Sequence, residues 1–356
     1  DTVFGHLEAA LDYLDKNKGI HGMCLIQFGD WNDSLTAIGK EGRGESVWLT
    51  MAYATALLQM EELCAYIGES CKAESYRARY LEIKASVNAH AWEEDRYIGC
   101  YSDSYRKIYS KDNKEGRIYI NTQSWAIISQ IADEEKCDKL LKAIDAELLT
   151  DYGYLLSYPT FTHFDPEIGR ITAMEPGIAE NATIYTHGNA FMIWALLKLN
   201  MAEKAYDIFK RITPGYLKNE EDIKNEGLPY VYTNCYYGPD HRHSPYHMEY
   251  SWVTGSVGWF YHLVTEWMVG VKKTYDGIEI NPVLPHSMDK VQLKKTIRSK
   301  VFDIEIYKKQ NDYNQSIYVV LNGEVLTDRT IRYTSCKKSN EVRVYIGYTL
   351  EEHPKE

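Results

Sequence analysis

The chain has 356 residues, enough for one large domain or for a large domain and a small one. Its formal net charge is −11, and its content of 44% hydrophobic and 26% charged residues is ordinary for a globular protein. The acidic balance argues against nucleic acid and anionic membranes as partners, because both bind basic surfaces, and no apolar run is long enough to be a membrane span.

The cysteine and aromatic content indicates the redox compartment and the kind of ligand. The seven cysteines are irregularly spaced without a CxxC pair, which predicts reduced thiols in a cytoplasm rather than a disulfide framework or a zinc site. Tyrosine (30) and tryptophan (8) together far exceed phenylalanine (8). Such side chains offer sugars both a stacking face and a hydrogen-bonding group, although a tyrosine-rich core and surface would give the same count.

Helical periodicity extends to about residue 270 and predicts about eight helices, mostly in consecutive pairs with short links. The predicted helices are Val3–Lys16, Ser46–Ile67, Ala73–Trp92, Thr122–Ile131, Glu134–Leu148, Tyr185–Leu199, Ala202–Ile212 and Trp252–Val269. Three long loops, rich in glycine, proline and aromatic residues, separate some pairs at Tyr97–Arg117, Asp151–Glu180 and Thr213–Ser251. Loops of this length in a compact domain usually carry function.

The hydrophobic period changes to two after Gly270. Alternating stretches such as "VFDIEIYKK" and "EVRVYIGY" predict strands, and Asn322–Gly323 predicts a tight hairpin between two of them. The sequence therefore predicts a mainly α portion over residues 1–271 and a C-terminal, antiparallel, β-sandwich-like domain over residues 272–356.

The first candidate for chemistry is "GDWND" at residues 29–33, followed by "GRGESVWL" at the start of a helix. Asp30 and Asp33 flank Trp31, and a carboxyl group beside a large apolar ring tends to have a raised pKa. Such a group can protonate a leaving oxygen near neutral pH. The alternative is a structural one, in which each aspartate caps a helix or closes an Asx turn.

Two further motifs precede apolar helices. "EPGIAENATIYTHGNAF" places Glu180 and His187 at a helix start, where backbone N–H groups favour an anion and the histidine adds a donor or a charge. "YSWVTGSVGW" offers Thr254 and Gly255 in the same way. A structural histidine and simple N-capping residues are the alternatives.

A fourth cluster combines histidines and carboxylates at residues 240–249. It contains Asp240, His241, His243, His247 and Glu249, but their spacing fits no helical metal-binding pattern. We therefore predict a structural or substrate-contacting loop and no metal site.

In this order, the motifs resemble those of glycoside hydrolase family 94, the inverting phosphorylases of the cellobiose and chitobiose phosphorylase type. Other matching stretches are "EGRIYINTQSWAI", "GLPYVYTNCYYGP" and "YDGIEINPVLP", and the resemblance covers about residues 20–285. It implies an (α/α)6 barrel, incomplete in this chain, followed by a small antiparallel β domain. It also implies a homodimer that needs no cofactor and uses inorganic phosphate as co-substrate to release α-glucose 1-phosphate from a β-glucoside.

The resemblance also implies roles for single residues. Asp33 is the expected general acid, Trp31 and Glu180 are expected to contact the sugar, and the expected phosphate ligands are His187, Thr254, Gly255 and, more weakly, Asn234. This division agrees with the chemistry, because phosphate is already an anionic nucleophile and a phosphorylase needs no second carboxylate as base. Asp30 is then expected to order the loop.

The departures from the family concern extent and specificity. The family's N-terminal β-sandwich, helical linker and first helical hairpins have no counterpart here, so the chain resembles the C-terminal portion of a longer polypeptide. Met174 and Ala179 stand where cellobiose-specific members contact the acceptor, and "GDWND" with "GRGESVWL" is closer to members acting on β-1,2- or β-1,3-linked gluco-oligosaccharides. Two alternatives stay open: an inverting hydrolase with Glu180 as base, and a non-catalytic glucan-binding or chain-length-controlling domain of a glucan synthase.

Overall fold

The computed structural model describes residues 2–214, 228, 231–252, 254–309 and 316–349. The predicted loop Thr213–Ser251 and the predicted β domain therefore lie partly outside the described residues. Contacts along the chain divide it into two compact units, residues 1–195 with 208–257 and residues 196–207 with 258–356. These units differ from the division at 271/272, which stays a prediction about domains.

The helices in the described residues follow the predicted pattern. They are α1 Val3–Lys16, α2 Val47–Tyr66, α3 Ser70–His90, α4 Ile120–Ile128, α5 Glu134–Glu147, α6 Thr186–Lys198, α7 Ala202–Ile212 and α8 Ser256–His262. Short 3₁₀ turns occupy Arg170–Ala173 and Tyr333–Ser335. None of the helices in these residues combines the length and the apolar character that crossing a bilayer requires.

The last helix is the one whose prediction needs correction. It begins at Ser256 rather than Trp252, and it continues as a π-helical turn over Leu263–Met268. Trp252 has a φ of 72°, a left-handed conformation that cannot join a right-handed helix. The Thr254 hydroxyl then accepts a hydrogen bond from the Ser256 N–H at 3.1 Å, in a turn that leads into the helix.

Helices of two kinds alternate in the first unit. α4 is buried along its whole length and α2 at many positions, whereas α3 and α5 bury one face and expose the other. α2 contacts both α3 and α4, and α4 contacts α5. This is the paired, layered packing that the periodicity predicts. A closed (α/α)6 barrel is not seen in the described part of the chain, because six hairpins need more helices than the eight found there.

Two-residue strands fix where the buried helices begin. The strands of the first unit are β1 Glu45–Ser46, β2 Trp92–Glu93, β3 Arg96–Tyr97, β4 Cys100–Tyr101, β5 Lys107–Ile108, β6 Ile118–Tyr119, β7 Leu149–Thr150, β8 Gly153–Tyr154, β9 Ser157–Tyr158, β10 Ile184–Tyr185 and β11 Cys235–Tyr236. β1, β6 and β10 directly precede α2, α4 and α6, and each pairs with a strand in a long loop, β4, β9 and β11 respectively. The long loops therefore hold the N-terminal ends of these helices.

The second unit contains the predicted strands. They are β12 Val271–Lys273, β13 Gly277–Ile280, β14 Lys290–Ile297, β15 Lys300–Lys308, β16 Ile317–Leu321, β17 Glu324–Val325, β18 Thr330–Arg332 and β19 Ser339–Ile346. They form a sheet in the order β12-β13-β18 and another in the order β14-β15-β19-β16-β17. The hairpin at Asn322–Gly323 is confirmed, since both residues have positive φ and join β16 to β17.

One strand pair differs from the antiparallel prediction. β15 and β19 run parallel, with Val301 opposite Ser339 and Ile306 opposite Val344. Alternation marks a strand's buried face but not its partner's direction, which depends on how the chain returns to the sheet. The buried face is continuous across both strands, where Phe302, Ile304 and Val342 are fully buried.

Candidate active site

Asp30 anchors the loop that carries "GDWND". One carboxylate oxygen accepts the Asn32 N–H at 3.1 Å, and the other accepts the Ser46 hydroxyl at 2.6 Å. Burial raises the pKa of Asp30, against the opposing effect of the Ser46 hydrogen bond. Because Ser46 also caps α2, Asp30 connects the loop to the start of that helix. Such contacts are those expected of a residue that orders the loop.

The next residues bring this loop to Glu180. The Asn32 side chain is fully buried and its oxygen accepts the Ser34 N–H at 3.2 Å. The Ser34 hydroxyl donates to the Glu180 carboxylate at 2.8 Å, across 146 positions of sequence. Asp33 lies between these buried neighbours, but its own side chain is exposed, not sheltered by Trp31 in this chain.

Trp31 joins the loop to the start of α6. Its ring centroid lies 5.4 Å from that of Tyr185 and 5.4 Å from that of His187. Its ring centroid also lies 5.8 Å from that of Trp48, whose ring is in turn 5.8 Å from that of Trp125. An aromatic cluster therefore occupies the N-terminal ends of α2 and α6, next to the loop that carries Asp33.

His187 is the second residue of α6. Burial lowers the pKa of its imidazole to about 4, and its ring packs 4.5 Å from that of Phe191. The side chain is therefore neutral at neutral pH. A neutral imidazole keeps one N–H donor. The sequence left open whether His187 provides a hydrogen-bond donor or a positive charge, and in the ligand-free chain it provides only the donor.

Asn234 belongs to the same neighbourhood. It directly precedes strand β11, and its main-chain oxygen accepts the Thr186 N–H, with the two heavy atoms 3.0 Å apart. The pKa of Tyr185 is raised to about 12 by burial, with smaller contributions from the charges of Glu180 and Asp33. The main-chain bond to Thr186 places Asn234 beside the start of α6, where Tyr185 and His187 flank Thr186.

Thr254 and Gly255 follow the chain segment that pairs with this strand. The Asn234 N–H donates to the Tyr250 carbonyl at 2.9 Å, and Thr233 forms a bridge with Ser251. The described side-chain contacts of Thr254 are local, with its hydroxyl 2.6 Å from that of Ser256. A β-carbon at Gly255 would meet open space, so the main chain there is accessible.

The candidate metal cluster is dispersed among other partners. His241 stacks on Tyr237 and accepts the Ser244 N–H, while Asp240 accepts a hydrogen bond from Thr160. Within the residues that the structure describes, no group of three histidine, cysteine or carboxylate side chains is arranged to hold a metal ion.

The sequence alone did not single out Ser34, Tyr185 or the main-chain contact of Glu249. The Glu249 carboxylate binds the main chain next to Glu180, a contact between residues 70 positions apart. Tyr185 stands within a motif already identified and is recoverable from it. Nothing in the local sequence indicates the partner of Glu249, because that contact depends on how two loops meet.

Comparison with known proteins agrees with these motifs. A profile of the glycosyl hydrolase 94 superfamily, catalytic domain, matches residues 1–270. A solabiose phosphorylase of Paenibacillus borealis is 36% identical, over 87% of this chain and 40% of its own length. A 3-O-β-D-glucopyranosyl-β-D-glucuronide phosphorylase of the same organism is 30% identical, over 93% of this chain and 43% of its own length.

A solved structure supports the fold alone. The family GH78 rhamnosidase of Bacillus sp. GL1 superposes with a TM-score of 0.55 at 15% identity, covering 86% of this chain and 29% of that one. Together, the coverages show that the chain spans about two fifths of the length of the two phosphorylases it matches.

Proposed function

This chain belongs to the glycosyl hydrolase 94 superfamily, and on that basis we propose that it is part of a glycoside phosphorylase. The enzyme cleaves β-glucosidic bonds of gluco-oligosaccharides with inorganic phosphate. The observation that carries the proposal is the meeting of the Asp33 loop with Glu180, through Ser34, and with His187, through Trp31.

In the proposed reaction Asp33 donates a proton to the glycosidic oxygen. Phosphate attacks the anomeric carbon from the opposite face, so that a C–O bond to phosphate forms as the bond to the leaving sugar breaks. The products are α-glucose 1-phosphate and a sugar shortened by one unit, with the configuration inverted. The side chain of Asp33 is exposed here, so in the proposed enzyme bound sugar and the rest of the polypeptide would exclude water from it.

Phosphate would be held by hydrogen bonds and by a positive charge on His187 that its own negative charge stabilises. The neutral imidazole of His187 donates one N–H, while Thr254 and Gly255 offer a hydroxyl and an open main chain. A bound phosphate dianion stabilises imidazolium, so it would raise the pKa of His187 and strengthen the contact. Asn234 extends this set, because its main chain is hydrogen-bonded to Thr186, the residue before His187.

Substrate linkage and assembly are finer parts of the same proposal. We propose a β-1,2 or β-1,3 linkage, supported by the form of the "GDWND" and "GRGESVWL" motifs. The relative named for a 3-O-β-glucosyl glucuronide supports the second of these. We also propose that the active protein is a cytoplasmic homodimer whose chain includes a portion N-terminal to these residues.

The test is phosphorolysis by the full-length protein on β-1,2, β-1,3 and β-1,4 gluco-oligosaccharides, with α-glucose 1-phosphate as the measured product. We expect product only with phosphate, and a loss of about 10²–10⁴-fold in kcat for Asp33→Asn, which keeps the side-chain shape but cannot act as an acid. Asp138→Asn, an exposed change on α5, should keep wild-type activity and is the matched control.

Other outcomes would support the alternatives. Reducing sugar released without phosphate would indicate a hydrolase in which Glu180, close to the acid loop, acts as base. Sugar binding without turnover would indicate a glucan-binding domain. Full activity of Asp33→Asn would overturn its assignment as the acid.

A further inference from the structure

Ala179 has a backbone conformation that its side chain disfavours. Its φ is 51°, in the left-handed region, which is unfavourable for a residue other than glycine. Glu180 follows it directly, so the conformation at Ala179 sets the direction in which the chain presents Glu180. A strained residue beside a proposed sugar contact must be held by its surroundings.

Side chains bind both main-chain polar groups of Ala179. The Thr183 hydroxyl donates to its carbonyl oxygen, and its N–H donates to the Glu249 carboxylate, with the nitrogen 3.3 Å from Oε2. The same Oε2 accepts the Cys235 thiol, with the sulfur at 2.6 Å. One carboxylate oxygen therefore connects strand β11 to the turn that precedes Glu180.

The segment that carries Glu249 is itself fixed to the site. The Glu249 N–H donates to the Cys235 carbonyl at 3.0 Å, and Cys235 is fully buried next to Asn234. Burial and the adjacent Glu249 carboxylate raise the pKa of the Cys235 thiol, so it stays protonated and remains a donor. The contact thus joins a neutral thiol on strand β11 to the Glu249 carboxylate.

We propose that Glu249 is a positioning residue for sugar recognition: its carboxylate holds the left-handed turn at Ala179 and thereby aims Glu180 at the substrate. The contacts run from Cys235 through Glu249 and Ala179 to Glu180, and from there through Ser34 to the loop of Asp33. The inference rests on the proposed function, because it takes Glu180 to contact the sugar. Glu249 itself does not touch the phosphate ligands in these contacts.

The experiment compares Glu249→Ala with Glu249→Gln in the full-length protein, with the KM for oligosaccharide and the KM for phosphate measured separately. We expect Glu249→Ala to lower kcat/KM for the sugar about 10–100-fold, mainly through KM, and to leave the KM for phosphate unchanged. Glu249→Gln keeps an oxygen that accepts the Ala179 N–H, so it should stay within about threefold of wild type. Glu175→Ala, an exposed change in the loop that carries Ala179, is the matched control.

The kinetic split separates positioning from general stabilisation. A merely structural role would lower kcat by reducing the active fraction, with both KM values unchanged, and would overturn the proposal. Equal damage by Glu249→Gln and Glu249→Ala would also overturn it. If Glu249→Ala fails to fold, Glu249→Asp shortens the side chain while keeping its charge, and we expect it to raise the KM for the sugar several-fold.

The result also stays distinguishable from failure of the proposed function. If the wild-type protein forms no α-glucose 1-phosphate, the phosphorylase assignment fails irrespective of Glu249. Calorimetric binding of the oligosaccharide panel then tests the inference alone. Weaker binding by Glu249→Ala, about tenfold, with wild-type binding by Glu249→Gln would support it, and equal binding by all three proteins would overturn it.

Discussion

His187 shows how burial decides the charge of a side chain at the proposed phosphate site. Its ring packs against Trp31 and Phe191, and removal from water disfavours the charged imidazolium. The residue type suggests a cation, but its environment leaves a neutral donor. The charge for holding phosphate must therefore come from induced protonation or from residues elsewhere in the polypeptide.

This environment predicts a pH dependence of stability. The pKa of His187 is about 4 in the folded chain against 6.5 for the ordinary group, so between these values the unfolded state binds more protons. Stability is therefore complete above pH 6.5 and falls as the pH decreases toward 4, by about 2 kcal/mol between pH 7.5 and pH 5. Urea unfolding at both pH values should show a smaller decrease in His187→Gln than in wild type.

A control variant and added phosphate test whether His187 causes this pH dependence. His243→Gln, at an exposed histidine, should keep the wild-type pH slope. Phosphate should reduce the loss at pH 5 in the wild-type protein but not in His187→Gln, because a bound anion favours imidazolium. An identical pH slope in wild type and His187→Gln would contradict a neutral, partly buried His187.

The start of α2 combines a helix cap with a loop anchor. The Ser46 hydroxyl accepts the Leu49 N–H at 3.1 Å and donates to Asp30 at 2.6 Å. Strand β1, which includes Ser46, pairs with β4 and sets the direction in which the helix begins. The Ser46 side chain thus connects α2 to the loop of residues 29–33, so we expect the order of this loop to depend on the helix.

Ser46→Ala should therefore lower both stability and activity. Loss of the cap and of the Asp30 hydrogen bond is expected to cost about 2 kcal/mol of unfolding free energy. The matched control is Asp133→Ala at α5, where the Asp133 carboxylate caps the helix by accepting the Lys136 N–H at 2.9 Å. It should cost about 1 kcal/mol and leave phosphorolysis unchanged.

Urea unfolding and the α-glucose 1-phosphate assay measure the two effects. Ser46→Thr keeps the hydroxyl and should recover most of both. Wild-type activity of Ser46→Ala at its reduced stability would show that the acid loop does not depend on this anchor.

The extent of the chain bears on how complete its site is. It spans about two fifths of the length of the phosphorylases it matches, and Asp33 is exposed although a general acid works best in a shielded site. In the described residues, the loop that carries Asp33 contacts Glu180 through Ser34 and His187 through Trp31. These features are what we expect of one side of a site that a longer polypeptide completes.

We predict that the 356 residues alone bind sugar weakly and form no detectable α-glucose 1-phosphate, whereas a polypeptide of the relatives' length is active. The physical reason is that the Asp33 side chain is exposed to solvent, so that a site built from these residues alone would hold the substrate poorly for reaction. The measurement is the same product assay with both proteins at equal concentration. Turnover by the short chain at the rate of the long one would contradict the prediction.

The secondary structure was predictable because it depends on local periodicity. The bounds of α1 and α7 agree with the predicted ones, and the Asn322–Gly323 hairpin follows from two residues that tolerate positive φ. The prediction was wrong at Trp252, where a left-handed residue delays α8 until Ser256. It was also wrong for the direction of β19 relative to β15, since alternation does not encode a strand's partner.

The proposed site divides in the same way. The order of the motifs in the sequence was enough to indicate the family. It also selected Asp33, Glu180 and His187 as candidates, because acid catalysis and anion binding need particular residue types, which are read directly from the sequence. Their meeting through Ser34 and Trp31, the neutral state of His187 and the carboxylate of Glu249 behind Ala179 were decided only by the fold. Burial and contacts between distant loops arise from packing, and packing depends on residues far apart in the chain.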